Sequence, residues 1–515
     1  MNVLKFSILR RRTLEIRVVD ASVDKTEADA VVVHIFEDAK QLGDAATAVD
    51  KALEGAISSL VDQGVAKGKV AEVNIIHTLG KLPARMVAVV GLGKRADLRL
   101  DKVRGSAGEV CRTLRKLNCR KVAMTAYGAE ELGIEPEAVA GAISEGAVLG
   151  LYDFAKYKKA EHEDIETLML TIRQKEKVQA VQSAVNKGKL IAEATSLARD
   201  MVNEPANYMT PSQMAEVARS VAGKYGLELK ILEREDMKAM GMGALLGVAE
   251  GSEQPPKLIT MSYRGNQHSG KAVGFLGKGI TFDSGGISIK PSEGMEEMKT
   301  DMAGAAAVIA AIAAIAQLKP AINVTAIVAA TENLPSGTAL KPGDVLKAMN
   351  GKTIEVISTD AEGRLTLADA LGYAQQLGLS PLIDLATLTG ACRVALGTLY
   401  SGVFSNNQKL ADRVLKAAET SGERMWQMPM PDEYKEQNKS EIANVKNVGN
   451  RAGGAITAGL FLAEFVGDVP WVHIDIAGTA HSTKESGYIV KGATGVGVRT
   501  LIELALSEAR AEEAA

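Results

Sequence analysis

Cysteine is scarce in this chain of 515 residues: Cys111, Cys119 and Cys392 are all it has. Three thiols so far apart exclude a disulfide framework and a cysteine-rich zinc site, and fit a reducing cytosol. An excess of charge of one sign is also missing, since 60 Lys+Arg face 63 Asp+Glu for a net charge of −3. No chain-wide basic field exists to coat a polyanion by counterion release. Long hydrophobic runs are lacking too. The longest uncharged one, Ala303–Leu318 (AGAAAVIAAIAAIAQL), is mostly alanine and shorter than the roughly 20 apolar residues that span a bilayer, so it reads as a buried helix. The apolar stretches of MNVLKFSILRRRTLEIRVVD are broken too early for the roughly 7 to 15 residues of a signal peptide core. Nothing here directs export or membrane insertion, and a cytoplasmic protein is expected. Fixed-period repeats and low-complexity linkers are absent as well.

What is present is the composition of a folded globular protein, 46% hydrophobic and 24% charged. The first third alternates β-branched runs with helical patterns: LEIRVV from Leu14, ADAVVVHI from Ala28, MVAVVG from Met86, KVAMTAY from Lys121. That rhythm predicts an α/β domain over 1–172. A long helical pattern after LMLTI predicts a connecting helix over 173–200, ahead of a larger domain over 201–515. There the runs LITMSY, AVGFLG, INVTAIVAAT, TIEVIS, LIDLATLT and WVHIDIAG are nearly continuous in apolar residues, the pattern of a mostly parallel sheet covered on both faces. The expected fold is therefore α/β in two domains, the smaller one amino-terminal. In such sheets ligand groups gather beyond the carboxyl ends of strands.

Two such ends carry the chemistry. GKGITFDSGGISIKPSEGMEEMKTDMAG, over 277–304, follows an apolar strand and holds Lys278, Asp283, Lys290 and Asp301 in glycine-rich backbone. Taken alone, Asp301 also suits a helix start, where a carboxylate complements the dipole. STDAEGRLTLADAL, from Ser358, follows TIEVI; Asp360 and Glu362 are two residues apart and point to one side of an extended backbone, with Arg364 next. A polar turn with Asp and Arg paired is the plain alternative. Together Asp283, Asp301, Asp360 and Glu362 would repel one another unless cations bind among them, and two divalent ions balance the four charges. Oxygen ligands without His or Cys suit Mn²⁺ or Mg²⁺ and tolerate Zn²⁺. A lysine amine joins such a set only when neutral. Two-metal phosphoryl hydrolysis uses similar ligands, but no GxxxxGK[ST] loop is present.

GKGITFDSGGISIKP and TDAEGRL resemble the signatures of the leucyl aminopeptidase family, dinuclear-metal exopeptidases of the cytosol, and NEPANYMTP, ATLTGA and WVHIDIAG resemble its other landmarks. The landmarks run over 199–498. The resemblance implies that Lys278, Asp283 and Asp301 hold one metal and Asp360 and Glu362 the other, with Asp283 and Glu362 bridging. It makes Lys290 and Arg364 the catalytic pair, Arg364 holding a bicarbonate base, and places Met298, Thr387 and Ala477 in the pocket for the substrate's first side chain. It also implies peptide substrates with a free amino terminus, Mn²⁺ or Zn²⁺, and a homohexamer. Some bacterial members bind DNA; here RRR at 10–12 and KYKK at 156–159 are short charge runs of the kind that usually face solvent. The family usually has Asn where this chain has Ser358. His473, in WVHIDIAG, reads as a core histidine, Cys392 as a buried structural thiol, and GLGKRA at 91–96 as a turn rather than a dinucleotide site.

Overall fold

The computed structural model describes residues 14–126, 133–158 and 162–514; Arg10–Arg12 and Lys159 lie outside them. The chain divides into two compact units, Met1–Ser196 with Thr483–Lys491, and Leu197–Ser482 with Gly492–Ala515. In the first unit β1 (Glu15–Asp20), β2 (Ala30–Ile35), β3 (Val73–His77), β4 (Met86–Gly91), β5 (Lys121–Thr125) and β6 (Thr167–Ile172) form one sheet in the order β1-β6-β5-β2-β4-β3. All neighbours are parallel except the edge pair β3–β4. The side-chain period of two splits β2 between two cores: Ala30 and Val32 join one, Val31, Val33 and Ile35 the other. Burial on both faces is why β2 and β4 read as nearly unbroken apolar runs.

The first core is roofed by helices Leu100–Lys116 and Pro136–Gly150, which touch backbone to backbone. Glycine makes this possible: a Cβ at Gly146 would stand 2.2 Å from the Arg104 carbonyl oxygen. Arg104 and Glu145 form a buried ion pair at 3.0 Å beside that crossing. In GLGKRA, a Cβ at Gly91 would meet the Lys69 carbonyl at 2.0 Å, so the glycine there answers a packing need within the unit.

The second unit contains β7 (Glu228–Leu232), β8 (Lys257–Arg264), β9 (Val273–Asp283), β10 (Asn323–Asn333), β11 (Val345–Lys347), β12 (Thr353–Glu355), β13 (Leu382–Ala386), β14 (Ser401–Ser405), β15 (Met425–Gln427), β16 (Val445–Lys446) and β17 (Trp471–Asp475). Eight form the main sheet, in the order β15-β14-β17-β13-β9-β10-β8-β7, and β11, β12 and β16 form a small one, so the run TIEVIS, expected in the main sheet, instead supplies β12 of the small one. The central run β17-β13-β9-β10 is parallel throughout. Helix Ala303–Leu318 lies against it, with a Cβ at Gly277 only 2.6 Å from the Ala305 Cα. Its alanines follow from that closeness, since larger side chains would hold helix and sheet apart. The stretch Met295–Leu318 is long and apolar enough to cross a membrane by composition, but 89% of its most apolar window is buried inside the protein. The parallel strands β9, β13 and β17 end at Asp283, Ala386 and Asp475, and their carboxyl ends bring the polar residues to one edge.

Candidate metal centre

Strand β9 carries Lys278 and ends in Asp283, both buried. The chain then turns through Gly285 and Gly286 at φ +88° and +66°, backbone that other residues adopt only with strain. The Gly285 N–H donates to Asp283 Oδ1 at 2.9 Å, fixing the carboxylate. Asp301 closes the 3₁₀ turn Met295–Thr300, and Glu362 stands immediately before helix Gly363–Gln376. Asp283, Asp301 and Glu362 each offer an oxygen within 4.8 Å of the others.

Two lysines thread this cluster. Lys278 Nζ lies 2.8 Å from Asp301 Oδ2 and 2.7 Å from Glu362 Oε1, and donates to the Thr387 carbonyl at 3.0 Å. Lys290 Nζ lies 2.8 Å from Asp283 Oδ2 and also pairs with Asp360 Oδ1. Asp360 thus enters through Lys290, and its side chain is 40% exposed while Glu362's is 2%. Burial opposes charge on both lysines, but the surrounding carboxylates outweigh it: Asp301, Glu362 and Asp283 raise Lys278, and Asp283, Glu362 and Asp360 raise Lys290. Burial raises Asp301 and Glu362 above the usual carboxylate range, with neighbouring carboxylates adding to the shift and Lys278 opposing it. Carboxylates outnumber lysines here, and burial, with crowding added, pushes Asp301 and Glu362 toward protonation. Buried oxygen donors in excess of their counter-ions fit divalent cations, whose charge would displace those protons and the extra proton of the Lys278 amine.

Arg364 is buried, and its Nη1 donates to the Asn447 carbonyl at 2.7 Å. Its Nε has no hydrogen-bond partner among the described residues. Burial lowers its pKa to about 10 in spite of Glu362, Asp475 and Asp360. Thr387 Oγ1 donates to Asp301 Oδ1 at 2.7 Å. Met298 is half-buried in the 3₁₀ turn and accepts the Asp301 N–H, while the Ala477 N–H donates to Asp475. His473 does sit in the core: its Nδ1 is 2.6 Å from Asp384 Oδ1, whose other oxygen accepts Trp471 Nε1 at 2.6 Å. Cys392 is buried, and burial pushes its thiol up to about 12, far from a thiolate nucleophile.

Asn333 and Asn447 lie outside the motifs, and Asp475, inside WVHIDIAG, has a role that the motif did not reveal. Asp475 accepts from Leu388 N–H and Thr389 Oγ1 and so pins the turn after β13. Asn333 donates to Asp283, and Asn447 holds the segment leading to Glu362. The one local signal was position, since Asn333 and Asp475 are polar residues ending apolar strands.

Comparison with known proteins agrees with this geometry. The cytosol aminopeptidase family's catalytic-domain profile matches residues 196–502, and its N-terminal-domain profile matches 32–161. The chain belongs to the cytosol aminopeptidase family. A probable cytosol aminopeptidase of Alkaliphilus metalliredigens is 47% identical over 498 residues, covering 96% of this chain and 99% of the relative. One from Gloeobacter violaceus is 43% identical over 507 residues, covering 96% and 100%. Among solved structures, a mutant of tomato leucine aminopeptidase aligns with a TM-score of 0.87 at 34% identity, covering 96% of each chain. The bottromycin maturation enzyme BotP in complex with Mn aligns at 0.82 and 33% identity, covering 94% of this chain and 100% of BotP. As a member of the cytosol aminopeptidase family, the chain is a metal-dependent aminopeptidase.

Proposed function

We propose that this aminopeptidase removes single residues, preferably leucine-like, from the amino ends of peptides, using two divalent ions, Mn²⁺ or Zn²⁺, per subunit. The observation that carries this reading is the convergence of Asp283, Asp301 and Glu362 around Lys278 at the edge of a parallel sheet. Lys278, Asp283 and Asp301 would hold one ion and Asp360 and Glu362 the other, Asp283 and Glu362 being shared. When bound, such ions polarise a carbonyl and bring the pKa of a water molecule toward neutrality.

The chain's own groups do the rest. Lys290, kept charged by Asp283 and Asp360, offers its ammonium where negative charge grows on the carbonyl oxygen. Arg364 Nε is a buried donor in need of an acceptor, which supports its holding a bicarbonate that accepts a proton from the water. Met298, Thr387 and Ala477 would line the pocket for the first side chain. The Thr387 hydroxyl is engaged with Asp301, so what Thr387 offers a substrate is its methyl group, which suits an apolar residue.

The test is hydrolysis of leucine amide, lysine amide, glutamate amide and a phosphate ester by the Mn²⁺-loaded enzyme. Release of leucine with the highest kcat/KM supports the reading; phosphate release without amide cleavage overturns it. We also propose a cytoplasmic homohexamer. Support comes from large apolar side chains left exposed in this chain, Val394 at 88%, Leu399 at 65% and Trp426 at 61%.

A further inference from the structure

Beyond the charged residues, the two metal-bearing segments are tied together by uncharged groups. Thr359 Oγ1 donates to the Gly285 carbonyl at 2.6 Å and accepts the Ser288 N–H at 2.8 Å, and the Thr359 N–H donates to Ser288 Oγ at 3.1 Å. Asn333, 4% exposed at the end of β10, spans both segments: its Nδ2 donates to Asp283 Oδ1 at 2.8 Å and to the Thr359 carbonyl at 3.0 Å. The Asn333 carbonyl in turn accepts the Ser284 N–H at 3.0 Å and Ser284 Oγ at 2.8 Å. On the other side, the Asn447 side chain accepts the Ile357 N–H at 2.8 Å and donates to the Ser358 carbonyl at 2.7 Å.

The bonds to Asp283 are divided between its two oxygens. Oδ1 takes two neutral donors, Gly285 N–H and Asn333 Nδ2, while Oδ2 faces Lys290. The neutral pair locks the carboxylate's rotation and leaves one oxygen for the cluster. Only an uncharged side chain with two N–H groups does this from position 333: an aspartate would add a like charge, and a hydroxyl has one proton for two acceptors. Room for it exists because residue 286 is glycine, whose Cβ would stand 2.7 Å from Asn333 Oδ1.

We propose that Asn333 is a positioning residue of the metal centre, orienting Asp283 and setting the spacing between the Asp283 segment and the turn that carries Asp360 and Glu362. The inference rests on the metal-dependent reading of the site. Groups that orient a ligand in this way are typically worth about 10- to 100-fold in metal affinity.

The test compares Asn333→Ala and Asn333→Leu with Asn438→Ala in the full chain. Asn438 is a fitting control: it is also 4% exposed, and its amide donates to the Thr457 carbonyl at 2.8 Å in another part of the unit. Mn²⁺ affinity is measured by chelator competition, alongside thermal unfolding of the metal-free proteins. Both alanine variants should melt lower than wild type, but only the Asn333 variants should lose roughly 10- to 100-fold in Mn²⁺ affinity. Asn333→Leu fills the volume without donors, so it should stay folded and still bind weakly. Asn333 variants that bind Mn²⁺ within about twofold of Asn438→Ala would overturn the inference while leaving the metal-dependent reading intact. A wild-type protein that binds no Mn²⁺ and hydrolyses peptides without it would overturn both.

Discussion

Lys278 and Lys290 stand twelve residues apart in sequence and within the same carboxylate cluster, yet the account gives them opposite tasks. Lys278 is nearly enclosed, with Asp301 and Glu362 on its amine, and must give up its proton to become a ligand. Lys290 is more open, paired with Asp283 and Asp360, and in the proposed mechanism would work only while charged. Lys278→Ala should therefore weaken one metal site, with part of the activity returning in excess metal. Lys290→Ala should retain both ions and lose roughly 10² to 10³ in kcat, the range for deleting one preorganised oxyanion donor, without rescue by metal. A metal titration of kcat for both variants decides it, and rescue of Lys290→Ala alone would reverse the assignment. Glu362→Gln and Asp360→Asn should both lower metal content along with activity; two variants with full metal and normal turnover would reduce the segment to a structural turn. The charged residues of the site were legible because they fall in two segments, Lys278 to Asp301 and Asp360 to Arg364, whose charges and glycines stand out beside apolar runs. Asn333 was not, because its partner Asp283 lies 50 residues away and neutral hydrogen bonds leave no pattern in a sequence; for Thr387 only the pocket position was expected, and its bond to Asp301, 86 residues away, had no signal.

At the scale of elements, burial on both faces made the long strands readable as apolar runs. The small sheet was not anticipated: TIEVIS reads as one more strand of the main sheet, but only Thr353–Glu355 of it is a strand, β12, and its partners β11 and β16 have three and two residues, too short to show a period. The glycines of the helix pair in the first unit look dispensable in sequence, whereas the structure uses them for contact. Gly146→Val should destabilise that unit by about 1–3 kcal/mol or more, since the new side chain meets the Arg104 backbone, and a urea titration followed by circular dichroism would show it. Strand β2 carries a pH dependence of its own. Burial, with Arg95 nearby, lowers the His34 pKa from 6.5 to about 4. The unfolded chain then binds the extra proton between those values, so the stabilisation is complete above the unfolded pKa and drains away as pH falls toward the folded one. The full span corresponds to about 3 kcal/mol. Urea titrations at several pH values should show this acid slope in wild type and a shallower one in His34→Leu; equal slopes would remove the histidine from the explanation. Circular dichroism is the right signal, because both tryptophans, Trp426 and Trp471, belong to the second unit.

For the molecule as a whole, the alternation of strands and helices indicated two α/β bodies, but the return of Thr483–Lys491 to the first unit had no sequence signal. A short segment between the two-residue strands His481–Ser482 and Gly492–Ala493 reads as an ordinary loop, and only tertiary bonds such as Tyr488 Oη to Asp101 at 2.8 Å reveal its place. The proposed hexamer predicts a light-scattering mass near six chains of 54.3 kDa, and a monomeric mass would refute it. The claim on which the rest depends is that the buried carboxylates exist to hold metal. It is tested most directly by metal analysis coupled to peptidase assays before and after exhaustive chelation. About two divalent ions per subunit are expected, with activity lost on their removal and restored by Mn²⁺. Full activity in protein whose metal content is near zero would contradict it.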